Sequence, residues 1–357
     1  MLVGGEGTRL RPLTYTTPKQ LLPIVEMPML ERVLTQLAAH GVDEAVLSLG
    51  YRPSAFLAAY PQGVAAGVKL SYAVEPEPLD TAGAVRFAAD AAGMEATFLV
   101  VNGDVLSDVD ISQLVRAHRE RRAAATIHLT PVADPSRFGV VPTDEQGRVV
   151  SFIVKPPPGE APTNLINAGT YVMEPEVLER IEPGRRCSIE RETFPALAAE
   201  GLLYALASDA YWLDTGTPDA FLRANFDMLD GTRARSPHPL ARLLEPGVWV
   251  LGAPDVQGDI GAGSLVGEGA FVAPGATVRG SVVGARCTVE DSALVEGSVL
   301  LPGCRVGSGA RVLGSILGHG AQVGEMCEIE PLTVVGDDET LPAATRLVGA
   351  RVPKEPG

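Results

Sequence analysis

The chain has 357 residues, more than one ordinary hydrophobic core serves, so the sequence predicts at least two domains. Hydrophobic residues make up 46% of it, which allows sizeable cores and argues against disorder. The formal net charge of −15 argues against a nucleic-acid partner, because phosphate backbones need a basic face. No run of about 18 apolar residues is present, so we expect no membrane span.

The N-terminal residues and the cysteines indicate the compartment. Glycines and arginines follow the start too soon for the apolar core of a signal peptide. The four cysteines form no CxxC pair; they are Cys187, Cys287, Cys304 and Cys327. We therefore expect free thiols in a reducing cytoplasm and no zinc site.

A glycine-rich stretch, GGEGTRLRP, follows the very short apolar start Met1–Val3. Glycine backbone can approach a phosphate closely, and Arg9, Arg11 and Lys19 add positive charge nearby. The pattern matches neither the dinucleotide-binding motif nor the P-loop. By itself it therefore leaves two interpretations open, a triphosphate-binding loop and a plain turn with solvated arginines.

Segments typical of strands and helices alternate over the first 230 residues. PMLERVLTQLAAHG is predicted to be a helix, since its apolar residues from Leu30 to Leu37 share one face. DEAVLSLG is predicted to be a buried strand, TAGAVRFAADAAG a helix, and TFLVVNGD a strand that ends at Asp104. This alternation predicts an α/β domain with a largely parallel sheet, in which ligands bind beyond the carboxyl ends of the strands.

A six-residue spacing of aliphatic side chains characterises the last third of the chain. Val266, Val283, Leu300 and Leu317 are each 17 residues apart, and further aliphatic residues divide each interval into steps of about six. Three such steps would make one coil of a triangular parallel β-helix. A sandwich of short strands is the alternative, but it would show period-two alternation and hairpin turns.

Seven motifs in order resemble the signature of the sugar-1-phosphate nucleotidyltransferase family. They are GGEGTRLRPLT with TPKQLLPI, EPEPLDTAGAV, VVNGDVL, FGVV, NAGTYV, SIERETFP and YWLDTGTPDAFL. The resemblance implies a Rossmann-like, mostly parallel catalytic domain over residues 1–230, a linker over 231–245, and a left-handed parallel β-helix over 246–352. SIERETFP most resembles the mannose-1-phosphate guanylyltransferase branch, which implies GTP and mannose 1-phosphate as the preferred substrates.

The implied reaction joins a sugar 1-phosphate to an NTP and releases an NDP-sugar and pyrophosphate. The nucleophile is a phosphate oxygen that is already ionised at neutral pH, so no general base is required. Catalysis should then consist of positioning and charge neutralisation. Mg²⁺ is the implied cofactor, with Asp104 and Asp214 as its carboxylate ligands.

The resemblance also assigns roles to individual residues. The implied catalytic residues are Arg9, Lys19 and Asp104. The implied nucleotide-binding residues are Gly4, Gly5, Gly7, Thr8, Arg9, Lys19, Glu75, Thr81, Ala82 and Gly83. The implied sugar-phosphate-binding residues are Gly139, Lys155, Asn167, Gly169 and Glu190. Only four of the 29 Lys and Arg residues are lysines, so a retained Lys indicates a need for a compact ammonium group.

Base preference rests on EPEPLDTAGAV, which by resemblance lines the base pocket. Guanine presents two donors on its Watson–Crick edge, whereas thymine and uracil present one donor between carbonyl acceptors. An ionised carboxylate only accepts hydrogen bonds. We therefore expect Glu75, rather than Glu77, to face guanine, although solvated loop charges are an equal alternative.

Two features depart from the family pattern. Val154 precedes Lys155 where the family usually has Glu, a change that implies weaker contacts to sugar hydroxyls. The first strand is also shorter than usual, since only Met1–Val3 precede the glycines. A late start or a trimmed chain would explain this, and we expect the loss of central strand residues to lower stability.

Alternative functions remain open at this point. Thymidylyl, uridylyl or adenylyl transfer to glucose 1-phosphate is possible within the family. A non-catalytic nucleotide-sugar-binding regulatory relative is favoured by Val154 but disfavoured by the two metal carboxylates. An acyltransferase β-helix would need a catalytic histidine, and His319 is better interpreted as a turn residue.

The β-helix is expected to mediate homo-oligomer formation, because its flat walls and coil ends must be covered. All the motif residues precede it. Truncation after Asp230 is therefore expected to change assembly more than chemistry.

Overall fold

The computed structural model describes residues 1–233 and 236–353. These residues form two compact units. The first unit joins Met1–Gly5 to Leu30–Trp212, and the second joins Glu6–Met29 to the described residues from Leu213 onward. None of the described helices is long and apolar enough to cross a membrane.

The described residues before position 230 contain six α-helices and thirteen strands. The helices are α1 (Met29–Ala39), α2 (Pro53–Ala59), α3 (Asp80–Ala92), α4 (Ile111–Arg121), α5 (Phe194–Ala199) and α6 (Pro218–Leu229). The strands are β1 (Pro23–Ile24), β2 (Met27–Pro28), β3 (Glu44–Leu49), β4 (Val64–Ala65), β5 (Val68–Val74), β6 (Phe98–Val101), β7 (Val105–Ser107), β8 (Ala125–Pro131), β9 (Gly139–Val140), β10 (Ile153–Val154), β11 (Leu165–Met173), β12 (Leu203–Ala207) and β13 (Trp212–Asp214).

Helix boundaries in this region follow local chemistry. The carboxylate of Asp110 caps α4 by accepting a hydrogen bond from the backbone N–H of Gln113. Thr217 caps α6 in the same way, and Pro218 occupies its first turn. Helix α3 ends at Gly93, which adopts the left-handed conformation with a φ of 61°.

The sheet of the first unit is largely parallel, as predicted, with one long antiparallel strand. Strand β3 pairs in parallel with β5, and β8 pairs in parallel with β12. Strand β11 runs antiparallel to both β6 and β8. The predicted strand TFLVVNGD is shorter than expected, because β6 ends at Val101 and Asp104 lies in the turn before β7.

The short N-terminal segment lies in the middle of this sheet. Leu2 forms parallel bridges to Ser48, in β3, and to Asn102, directly after β6. The amino group of Met1 is buried and donates a hydrogen bond of 2.7 Å to the carbonyl of Val46. A cavity of about 260 Å³ lies beside Met1, lined mainly by side chains of β3, β6 and α3. Part of the central layer is therefore unfilled.

The C-terminal region is a parallel β-solenoid, which confirms the hexad prediction. Its strands are β14 (Arg242–Glu245), β15 (Val248–Val250), β16 (Asp255–Val256), β17 (Asp259–Ile260), β18 (Ser264–Val266), β19 (Phe271–Val272), β20 (Thr277–Arg279), β21 (Val282–Val283), β22 (Thr288–Val289), β23 (Leu294–Glu296), β24 (Val299–Leu300), β25 (Arg305–Val306), β26 (Arg311–Leu313), β27 (Ile316–Leu317), β28 (Gln322–Val323), β29 (Glu328–Ile329), β30 (Val334–Val335), β31 (Thr340–Leu341), β32 (Arg346–Leu347) and β33 (Arg351–Val352).

These strands form three sheets, each built from every third strand. Seven parallel strands from β15 to β33 make one wall, with β14 antiparallel at its edge, and six strands make each of the other two. The aliphatic anchors point inward and form one buried core. Strand β14 lies inside the predicted linker, residues 231–245, of which 234 and 235 fall outside the described residues.

A ladder of buried hydroxyls runs through one corner of the solenoid. Each member is 0% exposed; they are Ser264, Ser281, Ser298, Ser315 and Thr333. The Ser298 hydroxyl donates to the Glu296 carbonyl at 2.8 Å and accepts from the Ser315 backbone N–H at 3.1 Å. Ser281, Ser298 and Ser315 thus each satisfy backbone groups of their own coil and of the next one.

Each of the two compact units is built from two separate stretches of the chain. The N-terminal segment Glu6–Met29, which carries most of the glycine-rich signature, belongs with the solenoid. So does α6. Short-range patterns gave no sign of this arrangement, because it depends on contacts between residues some 300 positions apart.

Candidate active site

The second unit holds the later part of the glycine-rich signature. Gly7 has a φ of 64°, and a Cβ there would lie 3.0 Å from Thr14 Cγ2 and 3.2 Å from Lys19 Cβ. The Thr14 hydroxyl donates to the Gly7 carbonyl at 2.9 Å. Thr8 begins the short 3₁₀ turn that follows. Both backbone conformation and space therefore require glycine at position 7, and Lys19, only 9% exposed, packs against it.

Arg9 and Asp214, two predicted site residues, come together in the second unit. Arg9 Nη2 lies 3.7 Å from Asp214 Oδ2, while Asp214 Oδ1 accepts a hydrogen bond of 2.9 Å from the Gly216 N–H. A Cβ at Gly216 would lie 2.5 Å from Arg9 Nη2. Gly216 thus makes room for the guanidinium group. Gly216 stands inside the motif YWLDTGTPDAFL but was not among the predicted site residues.

The first unit holds the other predicted nucleotide-binding residues, Gly4 among them. A Cβ at Gly4 would lie 3.1 Å from the backbone nitrogen of Gly50, so two backbones approach closely there, and Gly5 beside it is exposed. Glu75 Oε1 accepts from the Ser48 hydroxyl at 2.9 Å, and Oε2 accepts from the Leu79 N–H at 3.1 Å. Glu75 therefore stabilises the turn before α3 through both of its oxygens. Its contact with guanine stays a prediction.

The start of α3 is tied to the chain segment that carries Glu190. The Thr81 hydroxyl accepts a hydrogen bond of 2.8 Å from the Ile189 N–H. The N–H groups of Ala82 and Gly83 both donate to the carbonyl of Cys187, at 2.9 and 3.2 Å. A Cβ at Gly83 would lie 2.7 Å from the Arg185 carbonyl oxygen. These three predicted nucleotide-binding residues therefore join two segments of the first unit.

Four of the five predicted sugar-phosphate-binding residues cluster in the first unit. The Asn167 amide donates to Glu190 Oε1 at 2.8 Å, and its oxygen accepts from the Gly169 N–H at 3.0 Å. A β-bulge between Asn167 and Tyr171 makes this turn within β11 possible. Gly139 lies beside the carboxylate, since a Cβ there would be 3.1 Å from Glu190 Oε1.

Two side chains that sequence reasoning missed complete the cluster. Asn102 lies over Gly169, where a Cβ would be only 2.6 Å from its amide nitrogen. The Tyr171 hydroxyl accepts a hydrogen bond of 2.9 Å from Asn167, and burial together with the Glu190 charge raises the pKa of Tyr171. Both residues stand inside quoted motifs, VVNGD and NAGTY, so motif membership was the available signal.

Lys155, the fifth predicted sugar-phosphate residue, is exposed and has a φ of 50°. Its N–H donates to the Phe138 carbonyl at 3.0 Å, next to Gly139. Val154 pairs with Gly139 across the short ladder of β9 and β10. The residue that departs from the family pattern thus lies beside the cluster.

The predicted metal ligands are divided between the units, Asp104 in the first and Asp214 in the second. Within the described part of the chain, no group of three or more His, Cys, Asp or Glu side chains could hold a metal ion. His319, which an acyltransferase would need, lies in a solenoid turn, where its N–H donates to Asp337 at 2.8 Å.

Comparison with known proteins bears out the resemblance. The nucleotidyl transferase family matches residues 1–231, and the GMPPB C-terminal domain matches residues 260–354. The mannose-1-phosphate guanylyltransferase of Mycobacterium tuberculosis is 41% identical over 291 residues, covering 77% of this chain and 76% of its own. The mannose-1-phosphate guanylyltransferase catalytic subunit beta of Dictyostelium discoideum is 38% identical over 68% of this chain and 67% of its own.

A solved structure is also similar to this chain. HddC from Yersinia pseudotuberculosis, crystallised in complex with GMP-PN, is 28% identical, with a TM-score of 0.54 over 63% of this chain and 96% of its own. The family match covers more than half of the chain. The chain therefore belongs to the nucleotidyl transferase family.

Proposed function

We propose that this chain transfers the guanylyl group of GTP to mannose 1-phosphate, giving GDP-mannose and pyrophosphate. The observation that carries the proposal is the set of relatives at about 40% identity, from bacteria to plants and fungi, that are named for this reaction. The guanine-nucleotide analogue in the HddC complex supports the choice of base. The hydrogen-bonded cluster around Asn167 and Glu190 supplies groups suited to sugar hydroxyls.

The sugar would be recognised mainly by acceptor oxygens whose orientation is already fixed. The Asn167 amide is oriented by Glu190 and by the N–H of Gly169. Glu190 keeps acceptor capacity beyond the bond from Asn167, because an ionised carboxylate has about four lone-pair sites. Gly139 lets the Phe152 ring and this carboxylate approach the backbone closely, since a Cβ there would lie 2.6 Å from Phe152 Cε1 and 3.1 Å from Glu190 Oε1. A sugar hydroxyl that reaches the carboxylate could donate to Glu190, and exposed Lys155 would attract the sugar phosphate.

The phosphate chemistry needs charge neutralisation rather than a base. An oxygen of the sugar phosphate attacks the α-phosphorus of GTP, the bond from that phosphorus to the bridging oxygen breaks, and pyrophosphate leaves with the electron pair. Gly7 supplies close backbone approach, Lys19 a compact charge, and Arg9 a guanidinium that would bind the leaving pyrophosphate. All three belong to one unit.

Mg²⁺ is the cofactor that we propose, with Asp104 and Asp214 as its candidate carboxylate ligands. The donor set fits, since Mg²⁺ usually takes only one or two carboxylates and completes its octahedron with phosphate and water. When bound, the ion would neutralise phosphate charge. Asp214 is held for such a role by the Gly216 N–H, which fixes one of its oxygens.

We also propose that the enzyme self-associates and acts in the cytoplasm. The solenoid exposes Leu240, Leu243 and Leu244 near its first coil, which favours self-association. All four cysteines are free thiols, which agrees with a cytoplasmic enzyme.

Pyrophosphate release tests the proposed function directly. GTP, ATP, UTP and dTTP would each be supplied with mannose, glucose and N-acetylglucosamine 1-phosphates. We expect GTP with mannose 1-phosphate to exceed every other pair in kcat/KM by at least about tenfold. A preference for dTTP, UTP or ATP would reassign the base, and no turnover with any pair would favour the regulatory relative.

A further inference from the structure

We infer that two turns of the solenoid hold the signature segment in place, with Glu26 and Asp337 as positioning residues for Lys19 and Gly7. The signature segment is Glu6–Met29. The inference rests on the proposed function for its kinetic consequences, whereas its structural core depends only on contacts within the second unit. It assigns the solenoid a part in catalysis beyond assembly.

Glu26 provides the first anchor. It lies in the tight turn between β1 and β2, and its Oε2 accepts a hydrogen bond of 3.0 Å from the backbone N–H of Ala285, two residues after the end of β21. Arg286 adds a favourable charge beside the carboxylate, while burial raises the pKa of Glu26. A partly buried carboxylate is costly unless it is paired, so this contact satisfies a group that water no longer reaches freely.

The backbone of the same turn adopts a conformation that needs support from neighbouring contacts. Val25 and Glu26 have φ values of 47° and 62°, in a region that β-branched residues such as valine rarely adopt. The Val25 N–H donates at 2.7 Å to the side-chain oxygen of Asn225, which is fully buried in α6. Such backbone persists only where surrounding contacts over-determine it. Here those contacts come from α6 and from the solenoid.

Asp337 provides the second anchor, after β30. Its Oδ2 accepts a hydrogen bond from the Thr16 hydroxyl, and its Oδ1 accepts from the His319 N–H at 2.8 Å. Pro12 rests on the neighbouring Gly336, where a Cβ would lie 3.2 Å from Pro12 Cγ. Asp337 is therefore fixed by its own coil while it holds the signature segment.

The two anchors lie far enough apart to fix the segment between them. Strands β21, β24, β27 and β30 are successive neighbours in one wall, so the anchors are three coils apart, about 14 Å. Lys19 follows Thr16 by three residues and precedes Glu26 by seven. Gly7 in turn packs against Lys19 and Thr14. The predicted triphosphate-binding groups thus lie on a segment fixed to a rigid wall at two points.

The first test compares Glu26→Ala, Glu26→Gln and Glu290→Ala in the full chain. Glu290 is the matched control, because its Oε2 accepts a solenoid N–H, that of Ser308, at the same distance of 3.0 Å, and its Oε1 accepts from Arg305, which is also in the solenoid. We expect Glu26→Ala to raise the KM for GTP at least about tenfold, with the KM for mannose 1-phosphate changed less than about twofold. Glu26→Gln keeps an acceptor oxygen and should retain most of the activity, and Glu290→Ala should leave both KM values unchanged.

Hydrogen exchange separates this inference from the proposed function. Backbone amides of residues 8–22 should exchange at least about tenfold faster in Glu26→Ala and in Thr16→Val than in the unmutated chain, and not in Glu290→Ala or Thr16→Ser. This readout needs no turnover, so it holds even if the substrates are reassigned. Unchanged exchange in both Glu26→Ala and Thr16→Val, or equal acceleration in Glu290→Ala, would overturn the anchoring.

Discussion

The side-chain amide of Asn167 donates a hydrogen bond of 2.8 Å to the carboxylate of Glu190, 23 residues along the chain. The same amide donates to the hydroxyl of Tyr171 at 2.9 Å, so both of its hydrogens are used. The amide oxygen accepts from Gly169. Every polar atom of this amide is therefore oriented before any sugar arrives, which is the preorganisation that binding of a polyol requires.

Asn167→Asp tests this arrangement. The change would place two carboxylates within hydrogen-bond distance and remove both donors. We expect kcat/KM for mannose 1-phosphate to fall at least about tenfold, or ~1.4 kcal/mol, with the KM for GTP changed less than about twofold. Initial rates with each substrate varied in turn would measure both effects. Tyr171→Phe, which removes one acceptor only, should cost less than about tenfold; equal losses in both variants would contradict the assignment.

Gly216→Ala should displace Arg9 while preserving the fold. The added Cβ would lie 2.5 Å from Arg9 Nη2 and 2.9 Å from Asp214 Oδ1, so it would disturb the pairing of these two side chains; both contacts are with side-chain ends that can move away. We expect kcat to fall at least about tenfold, with a melting temperature within a few degrees of the unmutated protein. In the double variant with Arg9→Ala, the second change should add little, because both act on one interaction. Additive losses would show that Gly216 acts by another route.

Asp104→Asn and Asp214→Asn should each nearly abolish turnover and leave the fold intact. Each change removes one negative oxygen from the proposed magnesium ligands. Steady-state rates over a Mg²⁺ titration, together with Mn²⁺ binding followed by electron paramagnetic resonance, would measure the effect. Near-normal activity and Mn²⁺ affinity in either variant would remove that aspartate from the site.

Ser298→Ala should destabilise the solenoid. The change leaves the Ser315 N–H without its acceptor and removes a buried donor to the Glu296 carbonyl. We expect a loss of about 1–3 kcal/mol in the free energy of unfolding, measured by urea denaturation. Ser308→Ala, which removes a more exposed hydroxyl of the same solenoid, should cost less than ~0.5 kcal/mol. Similar values for the two variants would argue against the ladder as a stabilising element.

The buried amino group of Met1 should make stability depend on pH. Burial lowers the pKa of this amino group from 8.0 to about 5. In a chain that starts at Met1, the unfolded state therefore binds more protons than the folded state between about pH 5 and pH 8. Stability should therefore be full above about pH 8 and fall as the pH drops toward 5. Burial of His128, which lowers its pKa from 6.5 to about 4, adds a loss of the same sign at lower pH.

A variant with three apolar residues added before Met1 is the matched control. The addition moves the charge away from Val46 and can fill the cavity of about 260 Å³. Urea denaturation at about pH 8 and pH 6 should show a smaller pH dependence for the extended chain than for the original one. The same dependence in both chains would mean that the Met1 amine is not its source.

Local sequence was enough to predict the architecture. Hexad spacing determines a β-solenoid because one aliphatic side chain per short strand must point into the coil, and Val266, Val283 and Leu300 do so at every turn. Helix caps such as Asp110 are equally local. Gly7 stands in the motif that carries the resemblance, and the structure adds the reason for glycine there, a positive φ and a close contact with Lys19.

Tertiary structure alone decided which residues act together. Glu75, predicted to face a base, has both oxygens engaged by Ser48 and Leu79, and Gly83 serves contact with the segment at Arg185. The attachment of the signature segment to the solenoid joins Glu26 to Ala285, 259 residues away. Periodicity and motif spacing describe neighbours along the chain, whereas these contacts depend on how distant segments pack, so no local pattern could encode them.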